Sequence, residues 1–234
     1  MDALTSSQFL DVDPAWREAH PGASVGLIAM RGVANPASND KLNDLAAALE
    51  SDVRSRLETA DRETIRALPP LPAYAAYYKR WGQRYHVAMQ LESVAQKGKA
   101  LPRVAALVEA MFIAELRNLL LTAGHDLDAL ELPVRLTVGS GESYLAPNGQ
   151  ETTVKAGDMV VADARGRVLS AIITGPSAVA RIGAETTAAL FYTYAPPGVD
   201  SSLIEAHLDE IERNVTLISP QATVAARKIV TADG

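Results

Sequence analysis

The sequence predicts an α+β fold in which a mixed, mostly antiparallel sheet packs with helices. Apolar residues recur at spacings of three and four in the first half of the chain, whereas short β-type runs separated by turn residues fill much of the second half. Hydrophobic residues make up 48% of the 234 residues, which is enough for a sizeable core. We therefore predict one domain spanning residues 1–234.

The first half of the chain is predicted to be mainly helical. Leu42, Leu45 and Leu49 place one apolar stripe on an otherwise charged helix, which Asn39 or Asp40 caps. A strand at 25–30 precedes this helix, which runs to about residue 57. Pro69, Pro70 and Pro72 are predicted to impose an extended connector. Two further helices follow, one at 85–96 that Gly98 ends and one at about 103–123 that Gly124 ends as a left-handed cap.

After Leu132 the pattern changes to that of β-strands. Turn signals such as Asn148-Gly149 and Arg165-Gly166 separate the runs, which predicts hairpins and a largely antiparallel sheet. A last amphipathic helix is predicted from Asp200 to about residue 214, followed by a peripheral tail from Gln221 onward. The predicted strands lie at 134–138, 152–154, 159–161, 168–173 and 188–194.

Composition and charge narrow the classes of function. The chain has no cysteine, which excludes disulfides, thiol catalysis and cysteine-ligated metals. Its formal net charge of −6 argues against a protein that grips a long stretch of nucleic acid, so we expect no DNA binding and only a local RNA contact. No stretch approaches the roughly 18 to 20 apolar residues of a membrane span. These features predict a cytoplasmic protein without a membrane partner.

Residues that could carry chemistry are scattered. The four histidines have no partner at a metal-ligand spacing on one helix face, so we predict neither a metal site nor a cofactor. Asp126-Leu127-Asp128 is interpreted as a helix cap, and Asp163 as a brace for a tight turn. Gly139-Ser140-Gly141 is interpreted as a turn between strands, because no helix follows that could bind phosphate.

One segment combines basic and aromatic residues. Such a segment is typical either of solvated helix faces or of a surface that contacts RNA or a partner protein. The basic residues are Lys79, Arg80, Arg84, Lys97, Lys99 and Arg103, and the aromatic ones are Tyr77, Tyr78, Trp81 and Tyr85.

Several motifs in order resemble a known family. They are Leu91-Glu92-Ser93 to Pro102, the helix at 104–116, Gly124-His125-Asp126-Leu127-Asp128, the turn Gly149-Gln150-Glu151, Ala156-Gly157-Asp158 to Asp163, and the small-residue strand from Val168 to Gly175. With this order and spacing, the chain resembles a freestanding B3/B4 domain, the editing domain of the phenylalanyl-tRNA synthetase beta subunit. The match covers about residues 80–195, and the N-terminal segment, the C-terminal helix and the tail are peripheral to it.

This resemblance implies a pocket that hydrolyses the ester of a mischarged aminoacyl-tRNA without a metal or a covalent intermediate. Glu151 matches the glutamate that recognises the hydroxyl of a wrongly attached tyrosine, Gly149 matches the turn glycine, and Gly175 ends the pocket strand. The candidate catalytic residues are His125, Ser170 and Thr174. The resemblance also implies that residues 170–175 line the pocket wall, with Glu151 near the mouth.

The chain departs from the family pattern in its central helix. Phe112 and Glu115 stand where the family usually has Asn and Ser, the acidic position is Glu109, and His125 matches only if a gap is allowed. The expected partner is therefore either an aminoacyl-tRNA acceptor end that the protein deacylates, or an amino-acid-like small molecule or aminoacylated RNA end that it binds without catalysis. An interaction module built on the Tyr-rich segment is a third alternative, and the oligomeric state stays open.

Overall fold

Two sheets and a layer of helices make up residues 9–234, which are the residues that the computed structural model describes. The predicted α+β class is confirmed, because every strand pairing is antiparallel except one. The first eight residues of the predicted N-terminal segment lie outside the described residues.

Residues 9–234 form seven α-helices, one short 3₁₀ helix at Leu127–Ala129 and eleven strands. The helices are Pro14–Ala19 (α1), Asp40–Leu57 (α2), Arg62–Arg66 (α3), Leu71–Lys79 (α4), His86–Lys97 (α5), Ala106–Asn118 (α6) and Ser201–Ile218 (α7). The strands are Leu10–Val12 (β1), Ser24–Arg31 (β2), Leu121–Asp126 (β3), Val134–Val138 (β4), Ser143–Leu145 (β5), Glu151–Thr153 (β6), Met159–Ala162 (β7), Val168–Ala171 (β8), Gly175–Pro176 (β9), Ala188–Ala195 (β10) and Thr223–Thr231 (β11).

The first sheet is antiparallel throughout and has the order β11-β2-β10-β3. Its central strand β10 is buried along its whole length. Helix α7 packs on this sheet at Gly26, where an added Cβ atom would lie only 2.5 Å from Cγ2 of Ile204. Helix α6 packs against α7, α2 and β3.

The second sheet has the order β1-β4-β7-β8-β9, and β5 and β6 form a separate hairpin. The strands predicted within residues 134–194 thus do not form one sheet, because β10 belongs to the first sheet and β6 to the hairpin. The two sheets meet where the hydroxyls of Tyr192 and Tyr194 on β10 hydrogen-bond with Ser170 on β8. This contact joins β8 to β10 of the first sheet.

Three of the predicted helix-end signals are confirmed. The Asn39 side chain accepts a hydrogen bond from the Leu42 amide at 3.2 Å and begins α2, and Gly98 ends α5 with a φ of 63°. Asp200 caps α7. The predicted brace at Asp163 is also confirmed, since its carboxylate accepts from the amides of Arg165 and Arg167.

The helix predicted at 103–123 is shorter than predicted. It ends at Asn118, with Leu119 in the left-handed region at a φ of 58°, and Gly124 lies within β3 rather than at a helix cap. Residues 121–126 pair with β10, and the Glu115 carboxylate accepts a hydrogen bond from the Thr122 amide. Pairing with a strand about seventy residues further along the chain therefore overrides the continuous apolar pattern.

Two further predictions are wrong. The prolines do not impose an extended connector, because α4 begins at Leu71 and places Pro72 in its first turn, where a missing amide proton costs nothing. The tail from Gln221 is not peripheral, because Thr223–Thr231 pairs along the whole of β2.

Candidate functional site

A cavity of about 690 Å³ lies beside β3. Its walls are the start of α6 with the residues just before it, strand β3, and the segment from Ser170 to Ser177. This size and an apolar lining with a few polar groups are typical of small-molecule sites. The main apolar contributors are Val108, Met111, Phe112, Leu121, Ile172 and Ile182.

Helix α6 supplies one wall through its periodicity. Val108, Met111, Phe112 and Glu115 follow one another at helical spacing, so their side chains share one face. Residues 170–175, which the resemblance places along a pocket wall, line this cavity together with the helix.

Glu115 is a buried carboxyl in the cavity wall, with only 3% of its surface exposed. Its Oε1 accepts a hydrogen bond from the Thr122 amide at 2.7 Å. Burial raises the pKa of Glu115 to about 8, so the group is mostly protonated at neutral pH. The sequence interpretation treated Glu115 as a departure from a family pattern and missed it as a site residue. The available signal was an acidic residue inside an apolar helix with no basic residue three or four positions away.

A chain of hydrogen bonds joins His125 to Ser170. The Tyr192 hydroxyl lies 2.9 Å from His125 Nε2 and 2.9 Å from Ser170 Oγ, and the Tyr194 hydroxyl lies 2.7 Å from the same Oγ. His125 Nδ1 faces the Val179 carbonyl at 3.3 Å, which assigns the ring proton to Nδ1 and makes Nε2 the acceptor. Burial lowers the pKa of His125 to about 4, so the ring is neutral at pH 7.

The remaining wall carries Thr174 and Gly175. The Thr174 Oγ1 atom is buried and has no hydrogen-bond partner among residues 9–234. The main-chain oxygens of Thr174 and Gly175 both accept from the Tyr144 hydroxyl, at 2.9 and 2.8 Å. Gly175 has a φ of 82°, which a residue with a side chain rarely adopts, so this turn of the wall favours glycine.

Arg181 lines the cavity at its exposed rim. In the part of the chain that the structure describes, its guanidinium makes no ion pair and no hydrogen bond. A cation at this rim is therefore available to an anionic group of a ligand. The sequence interpretation did not single out Arg181, because nothing in the surrounding Val-Ala-Arg-Ile-Gly-Ala run distinguishes it from a solvated loop residue.

The structure brings together four of the six predicted site residues. His125, Ser170, Thr174 and Gly175 line the cavity. Gly149 and Glu151 lie on the β5–β6 hairpin, where Glu151 is exposed and pairs with Leu145 outside the cavity lining. The hairpin reaches the cavity through Pro147 at its turn. The substrate-binding role of Gly149 and Glu151 stays a prediction.

Residues 9–234 contain neither a metal-binding cluster nor a helix that could span a membrane. No group of three or more His, Asp or Glu side chains in this range is arranged to hold a metal ion. None of the helices in the same range is both long enough and apolar enough to cross a membrane.

Comparison with known proteins gives a weak result. No protein-family model matches the sequence, and no curated protein matches it significantly. Among solved structures, the chain is similar to an N-terminal fragment of the phenylalanyl-tRNA synthetase beta subunit from Pyrococcus horikoshii, with a TM-score of 0.48 and 12% identity. The match covers 97% of this chain and 52% of that one, so the chain spans about half the length of the fragment. The similarity is a weak one, at the level of fold.

Proposed function

We propose that the cavity binds the aminoacyl group at the acceptor end of a tRNA and that the protein hydrolyses its ester bond with water. The observation that supports this proposal is an apolar cavity with a few polar groups in its wall and, at its rim, a cation that has no ion pair within residues 9–234. The apolar lining suits an amino-acid side chain, and Arg181 suits a phosphate of the terminal nucleotides.

The hydrogen bonds of the cavity wall favour water over Ser170 as the nucleophile. A serine nucleophile needs a base that accepts its proton, and His125 accepts one poorly because burial lowers its pKa to about 4. The Tyr192 hydroxyl also lies between Ser170 Oγ and His125 Nε2, so the two residues do not contact each other directly. The chain from His125 to Ser170 therefore holds the wall in place. The buried hydroxyl of Thr174 has no partner among residues 9–234, and in this proposal it turns to donate to the ester carbonyl when the ligand is bound.

Binding without catalysis is the second candidate function, and one observation favours it. Both ring nitrogens of His125 and the hydroxyl of Ser170 already have partners within the protein. Groups that are fully hydrogen-bonded in this way stabilise a fixed pocket and contribute less to a reaction.

Deacylation assays separate these two functions. We expect the protein to accelerate amino-acid release from some members of a panel of misacylated tRNAs, including tyrosyl-tRNA with a phenylalanine anticodon. Val108→Trp fills the cavity and should reduce this rate at least about tenfold, because the side chain of the substrate loses its space. Leu217→Trp, on the exposed side of α7, is the matched control. No release from any tRNA, with saturable binding of a free amino acid, would establish the binding function instead.

Removing the rim cation should affect only substrates that carry phosphate. We expect Arg181→Ala to lower kcat/KM for aminoacyl-tRNA by about three- to tenfold at low salt, and by less at high salt, because the contact is exposed and screened. An aminoacyl methyl ester has no phosphate, so its hydrolysis should not change. An equal loss with both substrates would contradict a phosphate contact at Arg181.

A further inference from the structure

Glu115 is the only acidic residue that lines the cavity within residues 9–234. Its Oε1 accepts from the Thr122 amide, whereas Oε2 accepts no hydrogen bond from the described residues. No lysine, arginine or histidine of the same residues forms an ion pair with it. The cavity thus contains a carboxyl group for which the protein supplies one donor and no countercharge.

Apart from Arg181 at the exposed rim, the groups around Glu115 do not supply a charge either. Burial raises the pKa of the neighbouring tyrosines. It lowers the pKa of His125 to about 4. It also lowers the pKa of His207, whose ring hydrogen-bonds with the Thr122 hydroxyl, to about 3. All these groups are therefore neutral at pH 7. The titratable and charged groups that face Glu115 or share its cavity are Tyr74 and Tyr78 on α4, Tyr85 and His86 at the start of α5, His125 on β3, Tyr194 on β10, His207 on α7 and Arg181 at the rim.

We infer that Glu115 binds the α-ammonium group of the amino acid or aminoacyl ester in the cavity. This inference rests on the proposed function, since it requires an amino-acid-like ligand. An ammonium group brings the positive charge and the N–H donors that the wall lacks at Oε2, and an apolar surrounding strengthens such a charge-assisted hydrogen bond. A ligand with the same side chain but no amine leaves the carboxyl without a partner.

Proton release on binding follows from this pairing. With a pKa of about 8, roughly nine in ten Glu115 groups are protonated at pH 7, and a bound ammonium group lowers that pKa. Binding at pH 7 should therefore release close to one proton. The affinity should rise with pH through the pKa of the free group, by about fivefold between pH 7 and 8.

Titration calorimetry with two pairs of compounds tests the inference. The pairs are L-phenylalanine with 3-phenylpropanoate and L-leucine with 4-methylpentanoate, which differ only in the amine. We expect at least one amino acid to bind about tenfold or more tighter than its deaminated counterpart. In buffers of different ionisation enthalpy, its binding at pH 7 should release about 0.9 proton.

Two variants assign the effect to Glu115. Glu115→Gln should bind both members of a pair about equally and release no proton. Glu109→Gln is the matched control, because Glu109 is buried on the same helix but does not line the cavity, and it should behave as the wild type. Thermal unfolding shows whether each variant is folded, and the wild-type comparison within each pair does not depend on either variant.

Several results would overturn the inference. Equal wild-type affinity for both members of each pair would do so, and so would proton release that persists in a folded Glu115→Gln variant. Deacylation of tRNA without any preference for the amine would leave the proposed function intact while removing this role of Glu115. Preference for the amine without deacylation would support the inference and establish the binding function.

Discussion

Asp158→Ala is expected to lower the free energy of unfolding by about 3 to 5 kcal/mol, because it leaves several buried donors without an acceptor. Asp158 is fully buried. Its Oδ1 accepts from the Tyr77 hydroxyl at 2.7 Å and from the Met159 amide at 2.9 Å, and its Oδ2 accepts from the Ile173 amide at 2.9 Å. One carboxyl group thus joins α4, β7 and the cavity wall.

The measurement is chemical denaturation of the wild type, Asp158→Ala and Tyr77→Phe. Tyr77→Phe keeps the Asp158 carboxylate and its two amide donors, so it should cost only about 1 to 2 kcal/mol. Because Ile173 lines the cavity, Asp158→Ala should also weaken amino-acid binding in conditions where the variant is still folded. A loss of less than about 1 kcal/mol for Asp158→Ala would contradict this account of the three hydrogen bonds.

Those parts of the fold that depend on neighbouring residues could be predicted from the sequence. Asn39 caps α2 and Gly98 ends α5, because each acts within one turn of its own helix. The end of α6 and the role of β11 could not be predicted in this way. Leu119 to Ala123 continue the apolar pattern of α6, and only the partner strand β10 makes Leu121–Asp126 a strand. Likewise, only pairing with β2 places the tail in the first sheet.

The candidate site was predictable to a similar extent. The family resemblance selected His125, Ser170, Thr174 and Gly175, which the fold brings to one cavity. It did not select Glu115, because a motif comparison registers a substituted residue as a loss. The tertiary structure is what turns Glu115 from a helical residue into a buried carboxyl in an apolar wall, with one hydrogen-bond donor and no ion pair among residues 9–234. Glu50 differs from Glu115 already in the sequence, because Arg54 lies one turn away on the same helix, but this difference alone does not show that Glu115 lines a cavity.

Gly139→Ala is expected to lower the free energy of unfolding by about 3 kcal/mol, because no space exists for the added methyl group. Gly139 follows β4 and is buried. A Cβ atom there would lie 2.4 Å from Cγ1 of Val154 and 2.6 Å from the main-chain oxygen of Lys155. The second contact is with backbone, so a change of rotamer cannot relieve it.

Gly183→Ala is the matched control for this substitution. Nothing lies within 4 Å of a Cβ atom at Gly183, and neither glycine requires a positive φ. The control should therefore stay within about 0.5 kcal/mol of the wild type in the same denaturation experiment. Equal stability of the two variants would show that the segment after β6 moves to accommodate the methyl group.

The double variant tests whether Gly139 and Asp158 act through one segment. The Gly139 amide donates to the main-chain oxygen of Asp158, and the Gly157 amide donates to the oxygen of Gly139, each at 2.9 Å. A methyl group at Gly139 must displace the backbone at Lys155, three residues before Asp158. The Gly139→Ala variant therefore already has weaker hydrogen bonds at the Asp158 carboxylate, so less is lost when Asp158 is also replaced. The combined loss should therefore be smaller than the sum of the single losses by about 1 kcal/mol or more. Strict additivity would mean that the Asp158 carboxylate keeps its three partners when the turn at Gly139 is disturbed.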